Sequence, residues 1–353
     1  MTKIHELDTP VVLIDLDRVE ANLKRAQDYA DANGVKLRPH IKTHKLPQFA
    51  RRQIELGAIG ITCQKIGEAE VMVEAGITDI LLPYNILGEP KLKRLLALAR
   101  RAAIKVTADS TTSIDGYSRT FAGSGLTLPV LVECDTGGGR VGVQTPEEVL
   151  TLARRIADAP GLRFAGLMTY PAKGMVAQAN AWLERAKTLL TEAGLTPEIV
   201  STGGTPDLWH SSENRAATEY RPGTYIYLDR FQVQEGVGSF EDCALTVLAT
   251  VVSRPTDMRA ILDTGSKSLT SDTLGLQGFG RIVEYPDAMI VSLSEEHGIV
   301  DLAHSSAKPK VGEMVRIIPN HVCPVSNLFD EVTFVRGDDV IDTVPVAARG
   351  KVT

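Results

Sequence analysis

From residue 10 to about residue 230, short apolar runs alternate with longer amphipathic stretches. The apolar runs are rich in Ile, Val and Leu, which is typical of buried strands. The predicted strands are Val11–Leu16, Leu37–Ile41, Ile59–Gln64, Ile80–Tyr84, Ile104–Ala108, Pro129–Asp135, Phe164–Tyr170 and Ile199–Thr202. The predicted helices are Leu16–Asn33, a helix ending at about Leu56, Gly67–Ala75, Lys91–Arg101, Pro146–Ala157 and Asn180–Glu192. Because strands that alternate with helices pair in parallel, we predict an α/β fold with a (β/α)8 barrel; an open doubly wound sheet is the alternative.

After about residue 240 the apolar runs are separated by Gly, Pro and Asp, and no long helical pattern lies between them. The predicted strands are Leu245–Val252, Met258–Asp263, Met289–Leu293, Met314–Ile318 and Glu331–Arg336. This pattern is typical of a β-rich domain. We therefore predict an N-terminal barrel domain over residues 10–238 and a C-terminal β-rich domain formed by residues 1–9 and 239–353.

The composition is that of an ordinary globular protein, since 43% of the 353 residues are hydrophobic and 23% are charged. A net charge of −6 and the absence of a long basic run argue against a nucleic-acid partner. No apolar stretch reaches the roughly 18 residues of a membrane-spanning helix, and the first six residues lack the apolar core of a signal peptide. The four cysteines are widely spaced, so we predict reduced thiols in a cytoplasmic protein.

The chemistry of such a barrel is expected at the carboxyl ends of its strands. Leu37–Lys45 is predicted to be a short strand followed by a basic turn, with Lys42 at or just past the end of the strand. An ammonium held among apolar neighbours and two histidines loses hydration, and such a lysine can attack a carbonyl group to form a Schiff base. The alternative is a surface turn with scattered cations.

Three glycine-containing loops follow predicted strands or begin them. Ser201–Thr205 and Arg221–Tyr225 combine glycines with hydroxyl side chains, and the free backbone N–H groups of such loops suit a phosphate. In Asp135–Gly142, the glycine run carries Arg140 back over the predicted barrel mouth, where a guanidinium could hold a phenolate or a carboxylate. Each loop could equally be an ordinary turn.

His321 and Cys323 form a His-x-Cys pair in the β-rich domain. If they lie in a strand, the two side chains point to the same face. Imidazole and thiolate together suit zinc better than magnesium or calcium. The alternative is a buried cysteine beside a hydrogen-bonded histidine.

Taken together, these motifs resemble the D-serine dehydratase and D-threonine aldolase family, whose members are pyridoxal-phosphate enzymes of the alanine-racemase-like fold. The likeness covers nearly the whole chain. It is carried by Thr9-Pro10, Arg38–Lys45, Asp135 with Arg140, Ser201–Thr205, Arg221–Tyr225, Glu295–Gly298 and His321–Cys323. The resemblance implies a homodimer that binds pyridoxal 5'-phosphate and a divalent metal.

The resemblance also implies roles for individual residues. Lys42 would form the Schiff base with the cofactor, Arg140 would hold the phenolic oxygen of its ring, and Tyr170 would lie near the pyridine nitrogen. The other residues expected around the cofactor, several of them at its phosphate, are His40, Ser201, Thr202, Gly203, Gly204, Gly223, Thr224 and Tyr225. His321 and Cys323 would bind the metal, which is expected to be zinc, with manganese or magnesium as alternatives.

The implied activity is that of a lyase acting on a D-3-hydroxy amino acid. Removal of the α-proton by Lys42 would lead to a 2-oxo acid and ammonia, whereas removal of the hydroxyl proton would lead to retro-aldol cleavage into glycine and an aldehyde. Within the family likeness, His-x-Cys is more typical of dehydratases and His-x-Asp of aldolases. We therefore predict a dehydratase of the D-serine or D-threonine type, with an aldolase as the main alternative. An amino-acid racemase and a non-catalytic cofactor-binding protein are further alternatives.

One departure from the family pattern concerns the second acid–base group. Related enzymes often have Gly-His after the tyrosine of the seventh strand, whereas Pro171–Gly174 follow Tyr170 here. The identity of a second acid–base group is therefore left open by the sequence.

Overall fold

The computed structural model describes residues 2–353, and its strands and helices are numbered in chain order. The chain forms two compact units. The barrel unit comprises Ala26–Lys42, Leu46–Gly223 and Lys351–Thr353. The β unit comprises the chain up to Arg25, together with Thr43–Lys45 and Thr224–Gly350.

Eight parallel strands of the described chain form the sheet of the barrel unit. They are β2 (Lys36–Leu37), β3 (Ile61–Thr62), β4 (Asp79–Leu82), β5 (Ala103–Ala108), β6 (Leu128–Cys134), β7 (Leu162–Thr169), β8 (Ile199–Thr202) and β9 (Glu219–Tyr220). Their spatial order is β2-β9-β8-β7-β6-β5-β4-β3. The two ends of this row meet, because the Thr62 N–H donates to the Pro39 carbonyl at 2.8 Å and His40 forms a parallel bridge with Thr62. The sheet therefore closes, and the predicted barrel is confirmed.

Successive side chains of the barrel strands point alternately outward and inward. On β6, Val130 and Val132 belong to the main hydrophobic core, together with residues of the surrounding helices. Leu131 belongs instead to a small inner cluster with Leu81, Ala165 and Met168. Glu133, two residues after Leu131 on the same strand, is also buried. The interior of the barrel is thus apolar at Leu131 and polar nearer the carboxyl end of β6.

The described chain contains ten α-helices, and none of them is both long enough and apolar enough to cross a bilayer. They are α1 (Leu16–Ala32), α2 (Pro47–Leu56), α3 (Ile66–Glu74), α4 (Glu89–Ala99), α5 (Thr111–Phe121), α6 (Pro146–Asp158), α7 (Val176–Glu192), α8 (Arg230–Gln234), α9 (Ser266–Leu269) and α10 (Val322–Leu328). Helices α2–α7 follow barrel strands along the chain, as the alternating pattern predicted for all of them except α5.

Helix α5 was not predicted from the sequence. Its sequence is rich in Ser and Thr and contains Gly116, which lowers its intrinsic helix propensity. The helix forms because Ile114, Tyr117 and Phe121 lie on one face and are fully buried. Ser110 accepts a hydrogen bond from the Ser113 N–H and so caps its first turn.

The β unit contains a sheet of nine described strands in the order β11-β14-β13-β12-β15-β10-β1-β16-β17. They are β1 (Val11–Asp15), β10 (Leu245–Thr256), β11 (Arg259–Leu262), β12 (Arg281–Ile282), β13 (Met289–Leu293), β14 (Gly298–Asp301), β15 (Met314–Ile318), β16 (Glu331–Arg336) and β17 (Asp339–Pro345). All neighbouring pairs are antiparallel except β1 with β16. The predicted β-rich character of this part of the chain is confirmed.

Strand β1 corrects the predicted composition of the barrel. The sequence pattern counted Val11–Leu16 as its first strand, but β1 pairs with β10 and β16 in the β unit. The place of an eighth barrel strand is taken by β9, a two-residue strand that is too short to show an apolar period. Apolar runs indicate strands, but the choice of sheet depends on partners that are distant in sequence.

Candidate active site

Lys42 was predicted to lie at or just past the end of a strand, but in the structure it does not follow directly on one. Strand β2 ends at Leu37, and Ile41–Thr43 form one turn of 3-10 helix. The predicted strand is shortened because Pro39 has no N–H to donate to a neighbouring strand. Lys42 is exposed between the buried residues Ile41 and Thr43. The structure therefore differs from the prediction that apolar neighbours shield its amine.

His40 is held by two hydrogen bonds of its ring. The Lys42 backbone N–H lies 3.3 Å from Nδ1, and Gln64 Oε1 lies 3.0 Å from Nε2. Since Nδ1 accepts the amide proton, Nε2 carries the ring proton and donates it to Gln64. This arrangement corresponds to a neutral imidazole that orients the backbone of Lys42.

The loop after β8 forms a glycine cradle, defined as Thr202–Thr205 with Gly223. Gly203 has a φ of +124°, and a Cβ added to it would lie 2.9 Å from the backbone nitrogen of Arg221. A Cβ added to Gly204 would lie 2.9 Å from the Tyr170 ring. The Gly223 N–H donates to Thr205 Oγ1 at 3.1 Å. Within the described chain, the buried hydroxyl of Thr202 has no hydrogen-bond partner. The contacts at Gly203 and Gly204 leave no room for a side chain at either position, so only glycine fits there and the backbone of the loop stays accessible to a ligand.

Arg140 lies in a loop that returns to the barrel through a bridge between Cys134 and Val143. Asp135 Oδ1 organises this loop by accepting N–H groups from the three glycines that precede Arg140, at 2.7–3.1 Å. Partial burial opposes ionisation of Asp135, but these hydrogen bonds lower the pKa of its carboxyl. The exposed Arg140 guanidinium lies 4.9 Å from the centre of the Tyr170 ring. The structure thus brings these two predicted residues together.

Ser201 takes part in a buried ionic network rather than in the cradle. Its Oγ donates to Glu219 Oε1 at 2.7 Å and accepts from Arg221 Nε at 2.9 Å. Arg221 Nη2 also donates to the Thr169 carbonyl at 2.6 Å. Burial lowers the pKa of the Arg221 guanidinium. Neither Arg221 nor Glu219 was singled out from the sequence as a charged partner, although their i, i+2 spacing places both on one face of the chain.

Glu133 is a second buried acid that sequence analysis missed. Burial raises its pKa to about 7, against the hydrogen bond that Thr107 Oγ1 donates to Oε2 at 3.1 Å and the attraction of Arg221 and Arg140. The sequence does contain a signal, because Glu133 and Asp135 are charged residues two apart at the end of an apolar strand. A carboxyl group with such a pKa changes its charge near neutral pH.

The His-x-Cys pair lies outside any strand, which corrects the predicted reason for its shared face. Strand β15 ends at Ile318, His321 is the N-cap residue of α10, and Cys323 lies in the first turn of that helix. His321 Nδ1 is 2.7 Å from Asp272 Oδ2, and Cys323 Sγ is 3.2 Å from Thr43 Oγ1. Burial lowers the pKa of His321, but hydrogen bonding to Cys323 and Asp272 outweighs this and raises it to about 9.

The metal-binding capacity of this pair is limited to two protein donors. Among residues 2–353, no group of three or more His, Cys, Asp and Glu side chains is arranged to hold a metal ion. A soft thiolate and a borderline imidazole nitrogen fit zinc, with other ligands completing its coordination.

The remaining predicted residues, Thr224 and Tyr225, lie in a 3-10 helix of the β unit. Tyr225 is buried, and Thr224 Oγ1 lies 3.7 Å from Cys323 Sγ.

Comparison with known proteins identifies the family. Residues 14–230 match the alanine racemase N-terminal domain, and residues 244–335 match a putative serine dehydratase domain. The chain belongs to the family of alanine racemase-like proteins that carry a serine dehydratase domain, which includes D-threonine aldolase. The resemblance predicted from the sequence motifs is therefore confirmed.

Characterised members of the family are similar to this chain over nearly their full length. A D-threonine aldolase from Arthrobacter sp. is 38% identical over 98% of this chain and 93% of its own. A D-threo-3-hydroxyaspartate dehydratase from Delftia sp. strain HT23 is 33% identical over 96% of both chains. The crystal structure of D-threonine aldolase from Filomicrobium marinum covers 99% of this chain and 98% of its own, with 36% identity and a TM-score of 0.92.

Two solved variants of a D-threo-3-hydroxyaspartate dehydratase bear on the His-x-Cys pair. In one variant a histidine is replaced by alanine, and in the other, a metal-free form, the cysteine two positions further along is replaced. Their TM-scores to this chain are 0.91 and 0.90, at 31% and 30% identity. The spacing of those two residues equals that of His321 and Cys323.

Proposed function

We propose that this protein is a pyridoxal-phosphate-dependent lyase acting on a D-3-hydroxy amino acid. The observation that carries the proposal lies in the barrel unit, where the chain supplies both an exposed amine at Lys42 and a glycine cradle that leaves no room for side chains at Gly203 and Gly204. An amine and a loop of glycines and hydroxyl residues suit the two ends of a phosphorylated aldehyde. Membership of the family supports the same cofactor.

Each residue of the site then has a defined task. Lys42 Nζ would hold the cofactor covalently, the glycine cradle would hold its phosphate, and Arg140 would hold its phenolic oxygen. Tyr170, against which Arg140 is stacked, would keep that guanidinium in place. When bound, the cofactor supplies an electron sink conjugated with the Cα of the amino acid.

We propose that His321 and Cys323 hold a divalent metal, with zinc favoured by the thiolate. When bound, the metal supplies a Lewis acid for the 3-hydroxyl group of the substrate. The variants of the related dehydratase support this assignment, since the one that lacks the cysteine is a metal-free form. We also propose a homodimer, as the family resemblance implies, and a cytoplasmic location, which the widely spaced free cysteines favour. Analytical ultracentrifugation would test the dimer, which a monomeric holoenzyme would contradict.

Dehydration to a 2-oxo acid and ammonia is the outcome that we favour. It needs one base, and Lys42 Nζ can take the α-proton. Retro-aldol cleavage needs a base for the hydroxyl proton, yet Tyr170 is followed directly by Pro171 and Ala172 rather than by Gly-His, and both ring nitrogens of His40 are already hydrogen-bonded. Cys323 is a further likeness to a dehydratase, because the related D-threo-3-hydroxyaspartate dehydratase also has a cysteine two positions after a histidine.

Retro-aldol cleavage to glycine and an aldehyde is the second candidate. It is favoured by the 38% identity to D-threonine aldolase from Arthrobacter sp.. Architecture alone does not separate the two reactions, because the same fold and cofactor serve both.

A product assay decides between the two outcomes. The holoenzyme, supplied with zinc or manganese, is incubated with D-serine, D-threonine and D-threo-3-hydroxyaspartate, and ammonia, glycine, aldehyde and each 2-oxo acid are quantified separately. The 2-oxo acids are identified individually, because cleavage of 3-hydroxyaspartate releases glyoxylate, whereas its dehydration gives oxaloacetate. We expect 2-oxo acid and ammonia in equal amounts. Glycine and aldehyde as the only products would reject dehydration, and the absence of every product would reject the proposed substrate class.

A further inference from the structure

Asp272 contacts His321, which together with Cys323 forms the proposed metal pair, and it has no role in the site described above. Its Oδ2 lies 2.7 Å from His321 Nδ1, and its Oδ1 accepts the Leu274 N–H at 3.3 Å. Both carboxylate oxygens are therefore engaged, one by the backbone of its own loop and one by the imidazole. An acid anchored in this way holds the ring of His321 in a single orientation.

The loop that carries Asp272 is tied to the segment around His321 by further hydrogen bonds. The buried side chain of Asn320 donates from Nδ2 to the Gly278 carbonyl at 2.8 Å. The Arg230 guanidinium donates to the Gln277 carbonyl and to Asn320 Oδ1. These contacts do not involve Asp272, so the loop is fixed beside His321 independently of the carboxylate that it presents.

The distance between Asp272 and His321 shows which role the carboxylate can play. Two ligands of one tetrahedral zinc ion, each about 2.0–2.2 Å from the metal, lie roughly 3.3–3.5 Å apart. The observed 2.7 Å is shorter and is the length of a charge-assisted hydrogen bond. A proton, rather than a metal ion, therefore fits between Nδ1 and Oδ2.

We propose that Asp272 is the positioning residue of the metal pair. It keeps the proton of His321 on Nδ1, so that Nε2 is the nitrogen that binds the metal. A carboxylate in this position orients the ring and increases the basicity of the binding nitrogen. The inference rests on the proposed metal at His321 and Cys323 and adds a specific residue to it.

Zinc affinity tests the role of Asp272 without relying on turnover. Metal-free parent protein, Asp272→Asn and Asp272→Ala are titrated with zinc in competition with a chromogenic chelator. We expect both variants to bind zinc about 10- to 100-fold more weakly than the parent. Asp287→Asn is the matched control, because it removes the same charge from an exposed position of the β unit and should leave zinc affinity unchanged.

Nitrogen NMR of the zinc-loaded, ¹⁵N-histidine-labelled protein reports the ring directly. The protein has seven histidines, and the signals of His321 are assigned with His321→Gln. We expect a metal-bound Nε2 and a protonated Nδ1 in the parent. Unfolding curves of each Asp272 variant that match the parent's exclude a general loss of structure.

Three results would overturn the inference, and they point to different causes. Unchanged zinc affinity in both Asp272 variants, or zinc bound through Nδ1, would reject the positioning role while leaving the metal in place. A parent protein that binds no zinc would instead reject the proposed metal itself, and the role of Asp272 with it.

Discussion

Oppositely charged side chains pair inside the barrel, where an isolated charge would be unfavourable. Arg38 Nε donates to Glu219 Oε2 at 2.9 Å, and both side chains are 3% exposed. Through Ser201, Glu219 is linked in turn to Arg221. Because each ion has a partner, the barrel can hold a guanidinium at the carboxyl ends of its strands, beside the residues proposed to bind the cofactor.

Replacement of Lys42 by alanine tests the proposed covalent attachment. We expect Lys42→Ala to remove both the visible absorption of the bound cofactor and all turnover, because the variant lacks the amine proposed to form the Schiff base. Lys42→Arg is the control, since it keeps the charge but not the nucleophile, and it should also be colourless. A coloured Lys42→Ala protein after dialysis would contradict the assignment.

Glu133 makes a specific contribution to the pH dependence of stability. Burial raises its pKa in the folded state to about 7, above the ordinary value of 4.5. The folded protein therefore retains a proton that the unfolded chain has lost, so the contribution of Glu133 to stability falls as pH rises from about 4.5 to 7. Glu133→Gln removes this dependence.

The measurement is the melting temperature of Glu133→Gln and of the parent from pH 4.5 to 8. The difference, variant minus parent, should increase across this range and level off above pH 7. Glu147→Gln, an exposed acid, serves as the control and should show no such change. Parallel curves for Glu133→Gln and the parent would show that Glu133 does not titrate there.

Helix α6 shows how strongly local signals define an element. Thr145 is its N-cap residue and accepts the Glu148 N–H at 3.2 Å, while Glu148 accepts the Thr145 N–H at 2.9 Å. Val149, Leu152 and Ile156 form its buried face. This helix was predicted with the correct start and an end within one residue, whereas α5, with fewer strong helix formers, was missed.

The cap of α6 can be tested by a single substitution. Thr145→Ala should lower the free energy of unfolding by about 1 kcal/mol, because it leaves the Glu148 N–H without its side-chain partner. Thr145→Ser, which keeps the hydroxyl, should lie close to the parent. Urea denaturation measures both, and an Ala variant as stable as the Ser variant would show that the cap is dispensable.

The two proposed functional groups lie in different compact units of the molecule. Lys42 belongs to the barrel unit, and His321 with Cys323 belongs to the β unit. Each group therefore depends on side chains of its own unit: the glycine cradle in one case, and Asp272 and Thr43 in the other. Loss of one group should leave binding of the other intact.

Cys323→Ala separates metal binding from cofactor binding. The variant should keep the visible absorption of the bound cofactor but lose most of its metal and its turnover, because only His321 remains as a protein donor. Metal content is measured by elemental analysis and the cofactor by its absorption spectrum. Full activity of Cys323→Ala in the presence of a chelator would contradict the metal assignment.

Much of the candidate site was accessible from local sequence features. Lys42 stands out as a lysine in a histidine-containing turn, and the Ser201–Thr205 loop stands out by its glycines and hydroxyls. Asp272 could not be found in this way, because it meets His321 only when two distant segments fold together. The contacts of the Ser201 hydroxyl with Glu219 and Arg221 also could not be predicted, although Ser201 itself was singled out.

The sequence by itself determined the parallel barrel, the β-rich second part of the chain and the glycine loops, because hydrophobic period and glycine positions are local properties. Only the tertiary structure decided that Val11–Asp15 joins the β unit, where Val11 pairs with Leu248. It also decided that His321 and Cys323 are presented by the start of a helix and that buried acids lie beside the arginines. These outcomes depend on contacts between residues that are far apart in the chain, and such contacts leave no period in the sequence.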